Sequence, residues 1–122
     1  MAIDPCALVE RFHRAINELD YGVIEGFFAD DARYASGKVG GLSGRDEIMV
    51  AFRRYFAEYP DQVAEDNLVE RVSPLAARAV WSLSATSAST GAPLKRRGEE
   101  TITFNAEGKI VDVSVTDYDA LT

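Results

Sequence analysis

The stretch VDVSVTD, residues 111–117, decides how the end of this chain folds. Its valines alternate with polar residues, so a β-strand here places Val111, Val113 and Val115 on one face. Asp117 follows on the same face. A carboxylate at the end of an apolar row either caps the strand or pairs with a cation at the rim of a sheet, or it lies inside an enclosed space.

The preceding strand raises the same question. Ile102 and Phe104 share a face with Glu100, whereas Glu99 takes the opposite face. If the apolar rows pack on a core, Glu100 and Asp117 both point inward and are candidate acid/base residues. The alternative for Glu100 is a structural hydrogen-bond network, or a bulge that turns it outward.

Four β-rich stretches make up the second half of the chain, and turn signals with proline or glycine separate them. Their order along the chain favours consecutive antiparallel strands. The stretches cover residues 61–73, 77–87, 94–104 and 108–118.

Helix signals dominate the first half. An Asp-Pro pair at positions 4–5 predicts the start of a first helix, and a second, shorter helix with Phe28 among its apolar residues begins after Asp20. Ser43 is predicted to cap a third helix over about 44–59.

One short strand and one loop separate these helices. The strand is predicted over residues 32–36 and the loop over the glycine-rich residues 37–41. Helices first and a meander of strands afterwards is the α+β pattern, in which helices cover one face of a curved antiparallel sheet.

Composition restricts the class of protein. The chain has 122 residues, of which 47% are hydrophobic and 27% charged, as in an ordinary soluble globular protein. No apolar run reaches the roughly 18 residues of a membrane helix, and the N-terminus does not resemble a secretory signal. We therefore expect a single domain over residues 1–122, located in the cytoplasm and without a membrane partner.

Charged and metal-ligating residues exclude further classes. The net charge of −7 disfavours nucleic acid as a partner, and the short basic cluster at 95–97 is expected to be a solvated strand end. Cys6 and His13 are the only residues of their types, which leaves few ligands for zinc. We expect neither a metal nor a cofactor. His13 follows Phe12, off the centre of the apolar stripe of the first helix, so we expect it to make a surface or edge contact.

Three longer stretches, at residues 11–34, 41–52 and 100–113, resemble the nuclear-transport-factor-2-like superfamily, in particular its SnoaL-like and ketosteroid-isomerase-like branches. They read RFHRAINELDYGVIEGFFADDARY, GLSGRDEIMVAF and ETITFNAEGKIVDV. The resemblance implies a cone, in which a strongly bent antiparallel sheet wraps around three N-terminal helices and encloses a pocket. Members frequently form homodimers through the outer face of the sheet. They include isomerases, polyketide cyclases, epoxide hydrolases and non-catalytic binding proteins.

The resemblance also assigns positions. Glu100 stands where ketosteroid isomerases carry the carboxylic acid that donates to the oxyanion, but Phe12 replaces their oxyanion tyrosine and Ser36 their general base. Steroid isomerisation by that mechanism is therefore not expected. An Arg-Gly-Glu run at 97–99 has the spacing of the Arg-x-Asp pair of epoxide hydrolases, yet strand alternation sends its glutamate outward.

SnoaL-like cyclases require the fewest catalytic residues, since they use one carboxylic acid as acid/base in an apolar pocket. Asp117 or Glu100 could supply this acid. We predict a small apolar, carbonyl- or epoxide-bearing ligand and proton transfer by one of these acids. The alternative is a non-catalytic binding or accessory protein with the same pocket. The residues expected to contact the ligand are Phe12, Ile16, Tyr34, Ser36, Phe52, Phe56, Trp81, Ile102 and Val115.

Trp81 bears on assembly. It and its neighbour Val80 point to opposite faces of one strand, so an apolar side chain faces outward in either case. Trp81 therefore lines either the pocket or a dimer interface, and a homodimer is expected.

Overall fold

Three helices and six strands make up the computed structural model of the chain, which describes residues 3–36 and 40–118. The helices are α1 (Pro5–Asn17), α2 (Tyr21–Phe27) and α3 (Arg45–Glu58). The strands are β1 (Phe28–Ser36), β2 (Gly40–Ser43), β3 (Val63–Ser73), β4 (Ala76–Thr86), β5 (Pro93–Phe104) and β6 (Ile110–Asp117). Within these ranges no helix is long and apolar enough to cross a membrane.

The strands form one curved, unclosed sheet in the order β2-β1-β6-β5-β4-β3. Because the helices lie on its concave face, the α+β cone predicted from the sequence is confirmed. The sheet is mixed rather than purely antiparallel, since β1 runs parallel to β6 while all other neighbours are antiparallel. Strands joined by a short turn must run antiparallel. Because β1 and β6 are far apart in sequence, no turn fixes their relative direction.

Two of the three predicted helix caps are present. The carboxylates of Asp4 and Asp20 accept hydrogen bonds from N–H groups in the first turns of α1 and α2. At α3 the prediction is wrong, because Ser43 ends β2 and the N-cap is Gly44, whose φ of 93° lies in the left-handed region that favours glycine. The Ser43 N–H instead donates to the carboxylate of Glu47, at 3.3 Å.

The strand predicted over 32–36 is longer in the structure, and it pairs with a second strand, β2, that the sequence analysis did not predict. Phe28, predicted on α2, has extended backbone and begins β1, with its side chain fully buried. Gly40 and Gly41, predicted in a loop, pair with Ser36 and Ala35 of β1. Glycine has a low intrinsic strand preference, so only the pairing with β1 makes this segment a strand. Residues 37–39 of the predicted loop lie outside the described residues.

The core lies between α1 and the inner face of β5 and β6. Ile102 and Phe104 of β5 and Val113 of β6 are at most 1% exposed, and they pack in one cluster with Val9 and Phe12 of α1. The alternation predicted for β5 is therefore present, and on β6 it holds for Val113 and Val115. The prediction is wrong for Val111, because a shift in the β5–β6 pairing puts Ile110 in the core instead.

A glycine on β5 makes room for the Trp81 ring next to this core. Trp81 of β4 is paired with Gly98 of β5 and is 6% exposed, on the inner face of the sheet. A Cβ atom on Gly98 would lie 2.8 Å from Trp81 Cζ2 and 2.4 Å from the carbonyl oxygen of Thr116. The indole therefore occupies the space left by the missing side chain, and Val80 faces outward.

Replacement of Gly98 by alanine is expected to destabilise the fold by about 1–3 kcal/mol, because the added methyl group must displace the Trp81 ring or the backbone of β6. Urea denaturation followed by circular dichroism measures the change. Gly26→Ala is the control, since no atom lies within 4 Å of its Cβ position inside α2. This control should be as stable as the unmodified chain or more stable. A Gly98→Ala variant of unchanged stability would contradict the packing described for Trp81.

Candidate functional site

The helices and the concave face of the sheet enclose a largely apolar cavity of about 110 Å³. Side chains from α1, α3 and five strands reach it. The predicted ligand contacts that line it are Ile16, Tyr34, Ser36, Phe52, Phe56, Trp81 and Val115, and of the two predicted acids Glu100 lines it. Residues of the lining that the sequence analysis did not predict are His13, Ala51, Tyr55, Gln62, Ala64, Leu83 and Arg96.

Phe12 and Ile102, also predicted to contact a ligand, do not line this cavity. They are 1% and 0% exposed and lie in the closed core where α1 packs against β5. Both face inward, as their spacing indicates, but spacing gives the face of an element and not the depth along the cone. Phe12 therefore leaves no opening at the position where the ketosteroid isomerases carry a tyrosine.

His13 is the polar centre of the cavity. Its Nδ1 lies 2.7 Å from Asp66 Oδ1, and its Nε2 is hydrogen-bonded to Glu100 Oε1. The imidazole is 13% exposed and the Glu100 side chain 9%. Because α1 places His13 one turn before Ile16, at the edge of its apolar stripe, the ring reaches the cavity.

Asp66 reaches His13 by regular alternation along β3. It lies two residues after Ala64, which lines the cavity, and is paired with the inward-facing Trp81. The pairing with β4 shifts only after Asp66, so that Leu68 lies opposite the outward-facing Val80. The side chain of Asn17 holds α1 against β3, since it bonds both the N–H and the carbonyl oxygen of Ala64 at 2.9 Å.

The two carboxylates determine the charge of His13. Burial by itself would lower the pKa of the imidazole, but Glu100 and Asp66 outweigh burial and raise that pKa to about 10. At neutral pH the ring is therefore an imidazolium that donates from both nitrogens. With both carboxylates ionised, the trio of His13, Asp66 and Glu100 carries a net charge of −1.

One oxygen of this trio is free to meet a ligand. Glu100 uses Oε1 for His13, and no hydrogen bond among residues 3–36 and 40–118 engages Oε2. Since Glu100 lines the cavity, this oxygen is an acceptor held in apolar surroundings. In the same ranges, no group of three or more histidine, cysteine, aspartate or glutamate residues is arranged to hold a metal ion.

Tyr34 adds a donor to the same cavity. Burial raises the pKa of its hydroxyl and the nearby charge of Glu100 raises it further, so the hydroxyl keeps its proton. Its ring meets the Phe52 ring edge-on, with centroids 5.4 Å apart. The hydroxyl makes no hydrogen bond to another residue of the described chain, which leaves it available to a ligand oxygen.

Asp117 lies at the other end of β5 and β6, where Arg96 binds it. Arg96 Nη2 is 2.7 Å from Asp117 Oδ1, and the two side chains are only 12% and 4% exposed. The guanidinium also lies over the Trp81 ring, 5.4 Å from its centroid, and Nη1 donates to the Tyr55 hydroxyl at 3.2 Å. Asp117 therefore pairs with a cation, as one alternative predicted, but the pair is buried and not at a solvated rim. Its carboxylate does not line the cavity.

Arg96 itself corrects a prediction, because it is not part of a solvated strand end. It lies an even number of residues from Glu100 on β5, so strand alternation already placed both on one face. Glu99 faces outward as expected, where it binds Arg78 at 2.6 Å and accepts from the Tyr118 hydroxyl. Its carboxylate therefore takes no part in the cavity.

The sequence matches the SnoaL-like domain family over residues 9–113. An NTF2-like protein of unknown function from Exiguobacterium sp. 255-15 is 18% identical, with a TM-score of 0.81 over 93% of this chain and 99% of that chain. A Mycobacterium tuberculosis protein in complex with estradiol-17β-hemisuccinate is 17% identical, with a TM-score of 0.82 over 96% and 94%. SalBIII, an epoxide hydrolase/cyclase-like enzyme with a role in pyran ring formation in the polyether salinomycin, is 17% identical, with a TM-score of 0.81 over 93% and 89%. Identities this low show the shared fold alone. No curated protein matches the chain significantly.

His13 is the only histidine of the chain, so its titration is directly observable. We expect the imidazole carbon and nitrogen shifts, measured by NMR, to stay those of imidazolium through pH 8 and to titrate near pH 10. The carboxylates on both sides cause this shift. A ring that titrates near pH 6.5 in the folded protein would contradict the trio as described.

The same shift gives a stability profile. Because the folded pKa is raised, the stabilisation is fully present below the unfolded value near 6.5 and is lost as pH rises through about 10. Urea denaturation at pH 6, 8 and 10 should show the unmodified chain losing its advantage over His13→Gln as pH increases. If the difference in unfolding free energy between the unmodified chain and His13→Gln stays constant or grows with pH, the raised pKa of His13 is contradicted.

Proposed function

The chain belongs to the SnoaL-like domain family, and on this premise we propose that it binds a small, largely apolar carbonyl compound in the cavity and transfers a proton with Glu100 as acid/base. One observation carries the proposal. Glu100 lines an apolar cavity, with one carboxylate oxygen bonded to His13 and the other without a hydrogen bond to the described residues. A carboxylate positioned in this way is suited to general acid/base catalysis.

The proposed step moves one negative charge within the cavity. With both carboxylates ionised, the trio has a net charge of −1 before transfer. After transfer, Glu100 is neutral and the negative charge lies on the ligand. In the step we propose, a C–H bond next to the ligand carbonyl breaks, its proton goes to Glu100, and its electron pair moves into the carbonyl to form an enolate.

Tyr34 is suited to stabilise that enolate. Its protonated hydroxyl faces the cavity and can donate to the oxygen on which negative charge develops. A donor positioned before the reaction stabilises developing charge without reorganisation. Return of the proton from Glu100 to a different carbon would complete an isomerisation, and its return to the same carbon would give exchange with solvent.

His13 acts as a positioning residue in this scheme, because it touches Glu100 and not the ligand's reacting atoms. It fixes the direction of the free Glu100 oxygen and keeps that carboxylate apart from Asp66. The aromatic walls formed by Phe52, Phe56 and Trp81 exclude water and supply apolar contact area.

Two structural relatives support an apolar, oxygen-bearing ligand. One was solved with a steroid hemisuccinate ester, and the other is an epoxide hydrolase/cyclase-like enzyme of a polyether. The alternative function is that of a binding or accessory protein that holds such a ligand without turnover. Phe12 and Ser36 favour this alternative, since they replace the tyrosine and the base of the ketosteroid isomerases. The cytoplasmic location stays a prediction.

Deuterium wash-out from 1-tetralone labelled at C2 tests the proposed proton transfer. Followed by NMR, exchange should be catalysed by the unmodified protein, and Glu100→Gln should slow it by about 10²-fold or more, because the amide cannot accept the proton. Glu99→Gln is the matched control, one residue along β5 on the outer face, and should exchange at the unmodified rate. Saturable binding of the ketone without catalysed exchange would leave the binding protein as the function.

We also propose that the chain forms a homodimer through the outer face of the sheet. Leu68 and Val80 lie opposite each other there, and Leu68 is 46% exposed. Sedimentation equilibrium at micromolar concentration should give twice the chain mass of 13.4 kDa. Leu68→Glu should give the monomer, whereas Val50→Glu, at a 57% exposed position on α3, should not change the mass. A monomer in the unmodified protein would remove the proposed interface.

A further inference from the structure

We propose that the cavity has a second polar subsite, formed by the side-chain amide of Gln62 beside Arg96, which binds a neutral carbonyl-type oxygen of the ligand. The ligand class that follows is an elongated, neutral molecule with its reacting end at Glu100 and a remote oxygen acceptor at Gln62. This inference rests on the proposed function in that it assumes binding in the same cavity.

The direction of the hydrogen bonds identifies Gln62 as a donor. A guanidinium has only donors, so the Tyr55 hydroxyl accepts the bond from Arg96 Nη1. The proton of that hydroxyl must then go to another acceptor, and the hydroxyl is bonded to Gln62 Oε1. With the amide oxygen taken, Gln62 turns its NH₂ group away from Tyr55.

That NH₂ group has no partner of its own. Gln62 is 8% exposed and lines the cavity, and its amide nitrogen makes no hydrogen bond to the residues that the structure describes. The buried side-chain atoms without a partner in the described ranges are Arg96 Nε and Asp117 Oδ2, so the Gln62 amide nitrogen keeps some accessible surface. A ligand oxygen placed against this nitrogen would replace water as its acceptor.

The charges at this end favour a neutral oxygen over a carboxylate. The charge of Arg96 is balanced by Asp117 at 2.7 Å, and burial raises the pKa of Tyr55 although Arg96 opposes it, so the hydroxyl stays neutral. The trio around His13 carries a net charge of −1 with both carboxylates ionised. A carboxylate on the ligand would therefore meet no uncompensated cation in the cavity, and it would add to the buried negative charge.

The two polar subsites lie at different places along one strand. Arg96 and Glu100 are four residues apart on the inner face of β5, which separates their Cα atoms by about 13 Å in an extended strand. Between them, Gly98 leaves its space to the Trp81 ring. A ligand that reaches both subsites therefore needs an apolar middle section that lies on this aromatic surface.

Two phenols that differ only in a ketone test the subsite by isothermal titration calorimetry. They are 6-hydroxy-1-tetralone and 5,6,7,8-tetrahydro-2-naphthol, and the phenol of each can donate to Glu100. The ketone should bind at least 10-fold more tightly to the unmodified protein. In Gln62→Glu this preference for the ketone should disappear, because the new carboxylate still accepts from Tyr55 but offers no N–H donor.

Further measurements distinguish failure of the Gln62 subsite from failure of ligand binding as a whole. Glu100→Gln should weaken both phenols alike, which tests binding in the cavity independently of the ketone. Equal affinity of the two phenols in the unmodified protein, with Glu100 still required, overturns the Gln62 subsite and leaves the proposed ligand binding intact. Tighter binding of 6-hydroxytetralin-1-carboxylate than of the ketone overturns the preference for a neutral oxygen. If neither phenol binds, the proposed function and this inference fail together.

A measurement on the unmodified protein covers the case in which Gln62→Glu does not fold. Gln62 is the only glutamine of the chain, so ¹⁵N-glutamine labelling gives one side-chain amide pair in the NMR spectrum. Saturation with the ketone should move these signals downfield and the naphthol should not. Identical shifts with both phenols would overturn the assignment.

Discussion

The imidazolium of His13, held between two carboxylates, is the interaction on which the cavity depends. It joins three elements that are distant in sequence, because His13 lies on α1, Asp66 on β3 and Glu100 on β5. Without the cation, two acidic side chains would face each other in a poorly solvated space, and the helix could not pack closely against this part of the sheet. The same contact supplies the chemistry, since it leaves one Glu100 oxygen free.

A second ion pair, next to Gln62, likewise neutralises charges that lie largely out of contact with water. Arg96 and Asp117 neutralise each other next to Trp81, and Tyr55 and Gln62 extend the network into the cavity. Polar networks of this kind keep an apolar cone from being filled by its own side chains, because each buried polar group must stay near its partner. One network ends in an acceptor and the other in a donor, so the two ends of the cavity favour different groups of a ligand and fix its orientation.

Local pattern in the sequence was sufficient for the secondary structure and for part of the site. Alternation with a period of two placed Glu100, Val115 and Trp81 on strands, and it placed the first two on the inner face, because successive side chains of a strand must point to opposite sides. The same rule could have corrected our prediction for Arg96, which we expected at a solvated strand end, because Arg96 lies four residues before Glu100 and shares its face. Capping by Asp4 was equally readable, since a cap is a contact between residues that are adjacent in sequence.

Only the tertiary structure decided which inward residues share the cavity. Phe12 and Ile102 have the correct spacing but lie too deep, since periodicity contains no measure of depth along the cone. His13 gains its role from carboxylates on two distant elements, Asp66 of β3 and Glu100 of β5, and Gln62 lies between α3 and β3, in a segment without periodicity. The parallel pairing of β1 with β6 likewise joins distant parts of the chain. Contacts of this kind form between elements after they have folded together, so no local pattern in the sequence encodes them.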